Sequence, residues 1–175
     1  ESDRLLKITG ELLNMTQLES GSIQLKMSSI NPIQLIHSAL DATKIQAEQK
    51  RISISTDFEE NLPTVRADFE KMVWVLTNIL SNAIRYSYDN SNIVVAIKKS
   101  GDHVLFSVQD SGQGIPQQYQ NKIFNRYFRV PGSKKEGTGL GLAISKEFIE
   151  SQGGSIAVES ELATGSTFTI ALKKA

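Results

Sequence analysis

The chain contains no cysteine, two histidines and no excess of either charge, with 19 basic and 19 acidic residues among 175. Without cysteine there are no disulfides and no thiolate metal sites, and a reducing compartment suits it. The charge balance argues against a nucleic-acid or acidic-membrane binder, because phosphate backbones are held mainly by surplus lysine and arginine. No apolar run approaches the ~18 residues that a membrane helix needs, and no signal-peptide pattern opens the sequence. Internal repeats and low-complexity segments are also missing. Asn14-Met15-Thr16 fits a glycosylation sequon, but it lies in a helical pattern without secretory context and reads as a chance match. The first residues already belong to a helical pattern, so a piece of a longer protein is expected, and a membrane segment upstream stays open.

What is present is dominated by residues 70–88, EKMVWVLTNILSNAIRYSY. Wound at about 3.6 residues per turn, Val73, Leu76, Ile79, Leu80, Ala83 and Ile84 share one arc. Asn78, Asn82 and Arg85 fall opposite, with Tyr86 one turn beyond Asn82. Asparagine is a poor helix former because its amide competes for backbone hydrogen bonds. Two of them four apart mark either a solvated face or the wall of a cleft.

Around this helix the remaining elements follow from periodicity and capping. Residues 1–20 place Leu5, Ile8, Leu12 and Met15 in a 3-4-3 spacing, an amphipathic helix that needs a partner, closed by Gly21. Ile23, Leu25 and Met27 alternate as a strand. Asn31-Pro32 caps a helix running to about Lys50, Ile52 and Ile54 open a second strand, and Val65–Asp68 is a short extended piece whose Asp68 caps the central helix. Residues 93–98 and 104–109 form a hairpin. Residues 116–128 are helical or mixed, 130–136 a polar loop expected to be mobile without ligand, 138–152 a helix, and 155–159 with 166–172 a last hairpin. The expected architecture is α+β: a two-layer sandwich with a mixed sheet of about five strands and three long helices on one face. His37 and His103 receive no role.

Three further segments carry chemistry. Gly137-Thr138-Gly139-Leu140-Gly141-Leu142 enters a helix through alternate glycines. Uncovered N–H groups beside a helix N-terminus can hold phosphate, which is the favoured reading over a flexible linker into the helix. No Lys-Ser/Thr follows, so this is not a P-loop. Asp110-Ser111-Gly112-Gln113-Gly114-Ile115 follows a strand: either an ordinary turn, or glycines admitting a planar ligand with Asp110 accepting from an exocyclic amine. Residues 123–129, IFNRYFR, are either a core plug with outward arginines or a phosphate contact through Arg129, with Lys134 and Lys135 as loop charge over the ligand.

In this order, ending on Gly165-Ser166-Thr167, the motifs resemble the catalytic ATP-binding domain of sensor histidine kinases, within the GHKL group of ATPases and kinases. The resemblance spans about residues 23–175, and residues 1–20 resemble the second helix of the family's dimerisation and phosphoacceptor hairpin. It implies ATP and Mg²⁺ as cofactors, with Asn82 as metal ligand, Asn78 supporting phosphate or metal-bound water, and Arg85 near the phosphates. Tyr86 would pack on adenine, Asp110 would bond the adenine amine, and Thr167 would line the adenine end. Gly137, Gly139 and Gly141 would shape the phosphate loop, while Arg129 would stabilise the transferred phosphoryl. Gly112, Gly114, Ile115, Tyr127, Phe128, Thr138, Leu140 and Leu142 complete the implied nucleotide contacts.

The resemblance further implies a homodimeric full-length protein, a response regulator as partner, and a cytoplasmic domain of a membrane-anchored sensor. GHKL hydrolases carry glutamate where Asn78 stands; an amide cannot take a proton from water, so a kinase is expected rather than an ATPase. The acceptor histidine is expected upstream of this chain. A nucleotide-binding module without transfer activity, a Ser/Thr kinase of the same fold and a plain interaction domain are the rivals.

Overall fold

A computed structural model describes residues 1–175. Five strands form one sheet in the order β2-β4-β5-β7-β6: β2 (Ser53–Phe58), β4 (Asn92–Ser100), β5 (His103–Gln109), β6 (Ser155–Glu161) and β7 (Gly165–Lys173). β2 runs parallel to β4 and every other pair is antiparallel, which makes the sheet mixed. Alternation decides its faces. Ile93, Val95, Ile97, Val104, Phe106, Val108, Phe168, Ile170 and Leu172 are buried against helices, while Val94, Leu105 and Thr167 belong to the opposite, more open face.

Three helices cover the buried face: α2 (Pro32–Gln49), α3 (Phe69–Tyr86) and α4 (Gly141–Ser151). The two-layer sandwich expected from the sequence is the one observed. α2 begins where Asn31 Oδ1 accepts from Ile33 N at 2.9 Å, and α3 where Asp68 Oδ1 accepts from Lys71 N at 3.1 Å. Trp74 of α3 meets Phe148 of α4 edge-on at 5.7 Å, clamping these helices together. The far end of α3 is held by Lys50, whose ammonium donates to the carbonyls of Ile84, Arg85 and Ser87 at 2.9, 3.1 and 2.6 Å. A cation on these last carbonyls satisfies groups that lack helical partners and opposes the dipole.

Local corrections have physical causes. The first strand, β1, spans Met27–Ile30 rather than starting at Ile23. Ile23 and Leu25 alternate in burial, but pairing begins only where β3 (Val65–Asp68) supplies a partner, Met27 standing opposite Asp68. The last helix starts at Gly141, not Thr138, because Gly139 has φ +74° and cannot continue a right-handed helix. Between Pro116 and Phe128 only one short 3₁₀ turn forms, Gln117–Tyr119.

The amphipathic helix α1 (Ser2–Glu19) lies against α4 and the loop before it. Its buried face is not the leucine stripe. Ile8, Glu11, Met15 and Leu18, themselves spaced 3-4-3, turn inward, with Glu11 and Met15 both only 3% exposed. Leu5, Leu6, Leu12 and Leu13 remain 50–71% exposed.

Candidate functional site

One cavity of about 540 Å³ opens between α3, the loop from Val130 to Leu140, the Asp110–Ile115 segment and α1. Asn82 and Gly139, far apart in sequence, both line it. It therefore unites the asparagine helix and the glycine loop, as a nucleotide site requires.

Its apolar end is walled by Ile115, Ile123, Phe128 and Phe168, with Tyr86 from α3. Asp110 is the buried acid there. Its Oδ1 accepts from Gly112 N at 2.9 Å and from Ser166 N at 3.3 Å. Burial raises the carboxyl's pKa above its ordinary value, and the two N–H groups oppose that rise. With Oδ1 occupied, Oδ2 is left to accept from an amine in the cavity.

The polar end gathers Asn82, Arg85, Arg129 and Gly137, Thr138, Gly139, Gly141 and Leu142. Arg85 donates to Asn82 Oδ1 at 2.8 Å and to the Glu136 carbonyl at 2.9 Å, tying α3 to the loop that crosses the cavity. Arg129 donates to the Lys135 carbonyl in the same loop. Asn78 does not sit on a solvated face. It is 7% exposed, its Nδ2 donates to Ser145 Oγ at 3.2 Å, and a Cβ on Gly141 would stand 2.6 Å from its Oδ1. The absence of a side chain at Gly141 is thus what lets the amide lie beneath the start of α4.

The structure places several expected contacts away from the cavity. Thr167 lies on the open face of the sheet, and its neighbours Ser166 and Phe168 line the cavity instead. The alternation of Phe168, Ile170 and Leu172 already contains that signal, since a one-residue shift reverses the face. Leu140 is core, 2% exposed. Tyr127 has φ +64° and is 66% exposed, its N–H bonded to the Gly139 carbonyl at 2.8 Å. Lys134 and Lys135 are exposed on the outside of the loop. Gly112 does not line the cavity, and its missing side chain makes room for the Tyr86 carbonyl. Gly114 does line it, and an added side chain there would meet the Glu161 carbonyl, so close backbone packing requires both glycines.

Sequence reasoning missed Ile123, Gln113, Ser166 and the whole of α1, which contributes Asp3, Arg4, Lys7, Ile8 and Glu11. Glu11 accepts from Thr138 Oγ1 at 2.5 Å, and Arg4 pairs with Glu136 at 2.9 Å. An acid at the 3-4 spacing between Ile8 and Met15 was the readable sign that this helix face meets something polar.

A mixed sheet carrying a cavity with an acid at its apolar end and glycines and cations at the other defines a nucleotide-binding α+β sandwich. Residues 67–175 match the model of the "Histidine kinase-, DNA gyrase B-, and HSP90-like ATPase" family. The alginate biosynthesis sensor protein KinB of Pseudomonas aeruginosa is 34% identical over 172 residues, 98% of this chain and 29% of that protein. The sensor-like histidine kinase SenX3 of Mycolicibacterium smegmatis is 34% identical over 178 residues, 98% of this chain and 45% of its own length. Among solved structures, full-length ShkA in complex with AMPPNP superposes with a TM-score of 0.87 at 26% identity, covering 99% of this chain and 37% of that one. The nucleotide-free catalytic domain of histidine kinase ThkA gives 0.77 at 28%, covering 86% of this chain and 97% of that one. The chain belongs to the histidine kinase-, DNA gyrase B- and HSP90-like ATPase family, as an ATP-binding catalytic domain of the sensor-kinase kind. It spans less than half the length of these curated relatives. No helix is long and apolar enough to cross a membrane.

Replacing Asp110 by asparagine is expected to separate binding from stability. If the amide oxygen keeps the bonds from Gly112 and Ser166, the NH₂ faces the cavity and meets an incoming amine donor to donor. ATP affinity should then fall about 10- to 100-fold by calorimetry, the loss expected for one buried hydrogen bond made repulsive. The free protein should not lose stability at neutral pH. Because its folded pKa is raised, Asp110 binds more protons folded than unfolded between its ordinary and its raised value, so it lowers stability as pH rises through that window. Denaturation of the asparagine variant should lack that part of the pH dependence.

Proposed function

We propose that this domain transfers the γ-phosphoryl group of Mg-ATP to a histidine on a helical hairpin of the longer protein. Residues 1–20 are the second helix of that hairpin, residues 23–175 the catalytic body, and the full-length protein is a homodimer acting on a response regulator. The domain works on the cytoplasmic side, where ATP is available, as part of a membrane-anchored sensor. The observation that carries the reading is the single cavity with Asp110 at one end and Asn82, Arg85, Arg129 and the glycine loop at the other.

Each group has a task in such a transfer. Asp110 Oδ2 orients the adenine amine, with Tyr86, Ile115, Ile123 and Phe168 around the ring. N–H groups of the glycine loop and the start of α4 hold phosphate oxygens. Arg129, once it exchanges the Lys135 carbonyl for phosphate, neutralises charge on the group in flight. Asn82 would supply a hard amide oxygen for magnesium once Arg85, which donates to that oxygen at 2.8 Å, turns to phosphate. No cluster of three acids or histidines accompanies it, a donor set suited to an ion that keeps its waters and is shared with phosphates. When bound, that ion neutralises charge on the phosphate oxygens and orients them. Asn78 cannot serve as a base, which favours transfer over hydrolysis.

The test mixes the domain with Mg-ATP and a separately made hairpin carrying the acceptor histidine. Acid-labile phosphate on the hairpin is expected. Bound ATP without labelled hairpin, or acid-stable phosphoserine on it, would overturn the reading.

A further inference from the structure

α1 brings charge to a cavity whose motifs all lie elsewhere. Arg4 is taken by Glu136 at 2.9 Å, and Glu11 accepts from Thr138 at 2.5 Å, so two polar contacts fix the helix across the loop. Lys7 lies between them, three residues after Arg4 and four before Glu11, hence on the same helix face. It lines the cavity together with Arg85 and Asn82 and keeps solvent access at the mouth. Neither Lys7 nor Arg85 forms an ion pair. The pKa of Lys7 is lowered from its ordinary value, chiefly by partial burial and then by the positive charge of Arg85, with Glu11 opposing. Lys7 and Arg85 thus face one hollow and repel each other, and neither is paired with a carboxylate: Glu136 is taken by Arg4, and Glu11, hydrogen-bonded to Thr138, offsets only part of the positive charge.

We propose that Lys7 is a phosphate-binding residue of the nucleotide site, supplied by α1 and acting on the phosphate chain beside Arg85. This rests on the reading of the cavity as an ATP site and adds a residue that none of its motifs contains. The ammonium is a flexible point charge, suited to following a phosphate that moves during transfer. With it, the site is complete only while α1 lies across the loop, so nucleotide affinity depends on the seating of that helix.

Calorimetric titrations of the whole chain with ATP, ADP and adenosine test this in the wild type, Lys7→Met and Lys7→Arg. Methionine preserves the aliphatic stem, so it removes charge with little change in packing. ATP affinity is expected to fall about tenfold in Lys7→Met, as for loss of one charge-assisted hydrogen bond. Adenosine affinity should stay unchanged, and Lys7→Arg should recover most of the ATP binding. Equal ATP affinity in wild type and Lys7→Met would overturn the role of Lys7 alone. An equal loss for adenosine would also overturn it, showing that the residue merely packs. A wild-type chain that binds no ATP would overturn the site reading itself and Lys7's role with it.

Discussion

Substituting alanine for Asn82 is expected to cut phosphoryl transfer to the hairpin at least about 100-fold, the scale on which removing one preorganised polar group from a reaction centre acts. Two effects combine. The amide oxygen proposed to meet magnesium disappears, and Arg85 loses the acceptor that Nη2 holds at 2.8 Å. Arg85 then keeps one hydrogen bond, to the Glu136 carbonyl 2.9 Å away on the crossing loop. Folding should change little, because Asn82 faces the cavity rather than the core. Initial rates against magnesium concentration, beside a melting curve, make the check. The variant should need more magnesium for half-maximal rate while melting within a few degrees of wild type. Rates within threefold of wild type at every magnesium concentration would remove Asn82 from the proposed metal site.

The second large effect falls on stability. Gly165 opens β7 with φ +129°, a conformation that side chains rarely adopt, and a Cβ there would overlap the Asp110 carbonyl oxygen and crowd Ser111 Cα at 3.0 Å. Neither obstacle is the yielding end of a side chain. The same junction carries the bond from Asp110 N to the Ser166 carbonyl at 2.9 Å. Gly165→Ala should therefore destabilise by about 3–5 kcal/mol, combining backbone strain with overpacking. For a chain of this size that corresponds to a fall of roughly 10 °C in Tm. ATP binding should weaken as well, since the shift displaces Asp110. Gly10→Ala is the control: it lies inside α1 with nothing within 4 Å of an added Cβ. Alanine there should stabilise by about 0.5–1 kcal/mol through helix propensity. Equal melting temperatures for the two variants would show that the Gly165 junction tolerates a side chain.

Asn82 and Gly165 differ in how much of their surroundings a sequence pattern displays. The pairing of Asn82 with Arg85 joins neighbours on one helix turn, which spacing alone brings together. The collision at Gly165 is between segments 55 residues apart, from Asp110 to Gly165, and exists only because β5 and β7 are paired. Thr167 and Ser166 show the boundary. Which of them faces the cavity follows from alternation once the register is anchored by Phe168, and the motif's order hides it. α1 shows it again, since leucines at 5 and 12 form as regular a stripe as Ile8, Glu11 and Met15. Apolar content favours the wrong face, and only contact with α4 and Thr138 selects the right one.

The order of hydrophobic periods, caps and glycines determined the two-layer sandwich, the asparagine helix and the phosphate-type loop, because each depends on residues within a few positions of one another. Tertiary structure alone decided that Asn78 is buried on Ser145, that Lys134 and Lys135 point outward, and that Lys7 and Glu11 enter the cavity. Those outcomes depend on which surfaces meet across long separations, where the geometry of the whole sheet and its helices, rather than local preference, sets the distance between groups.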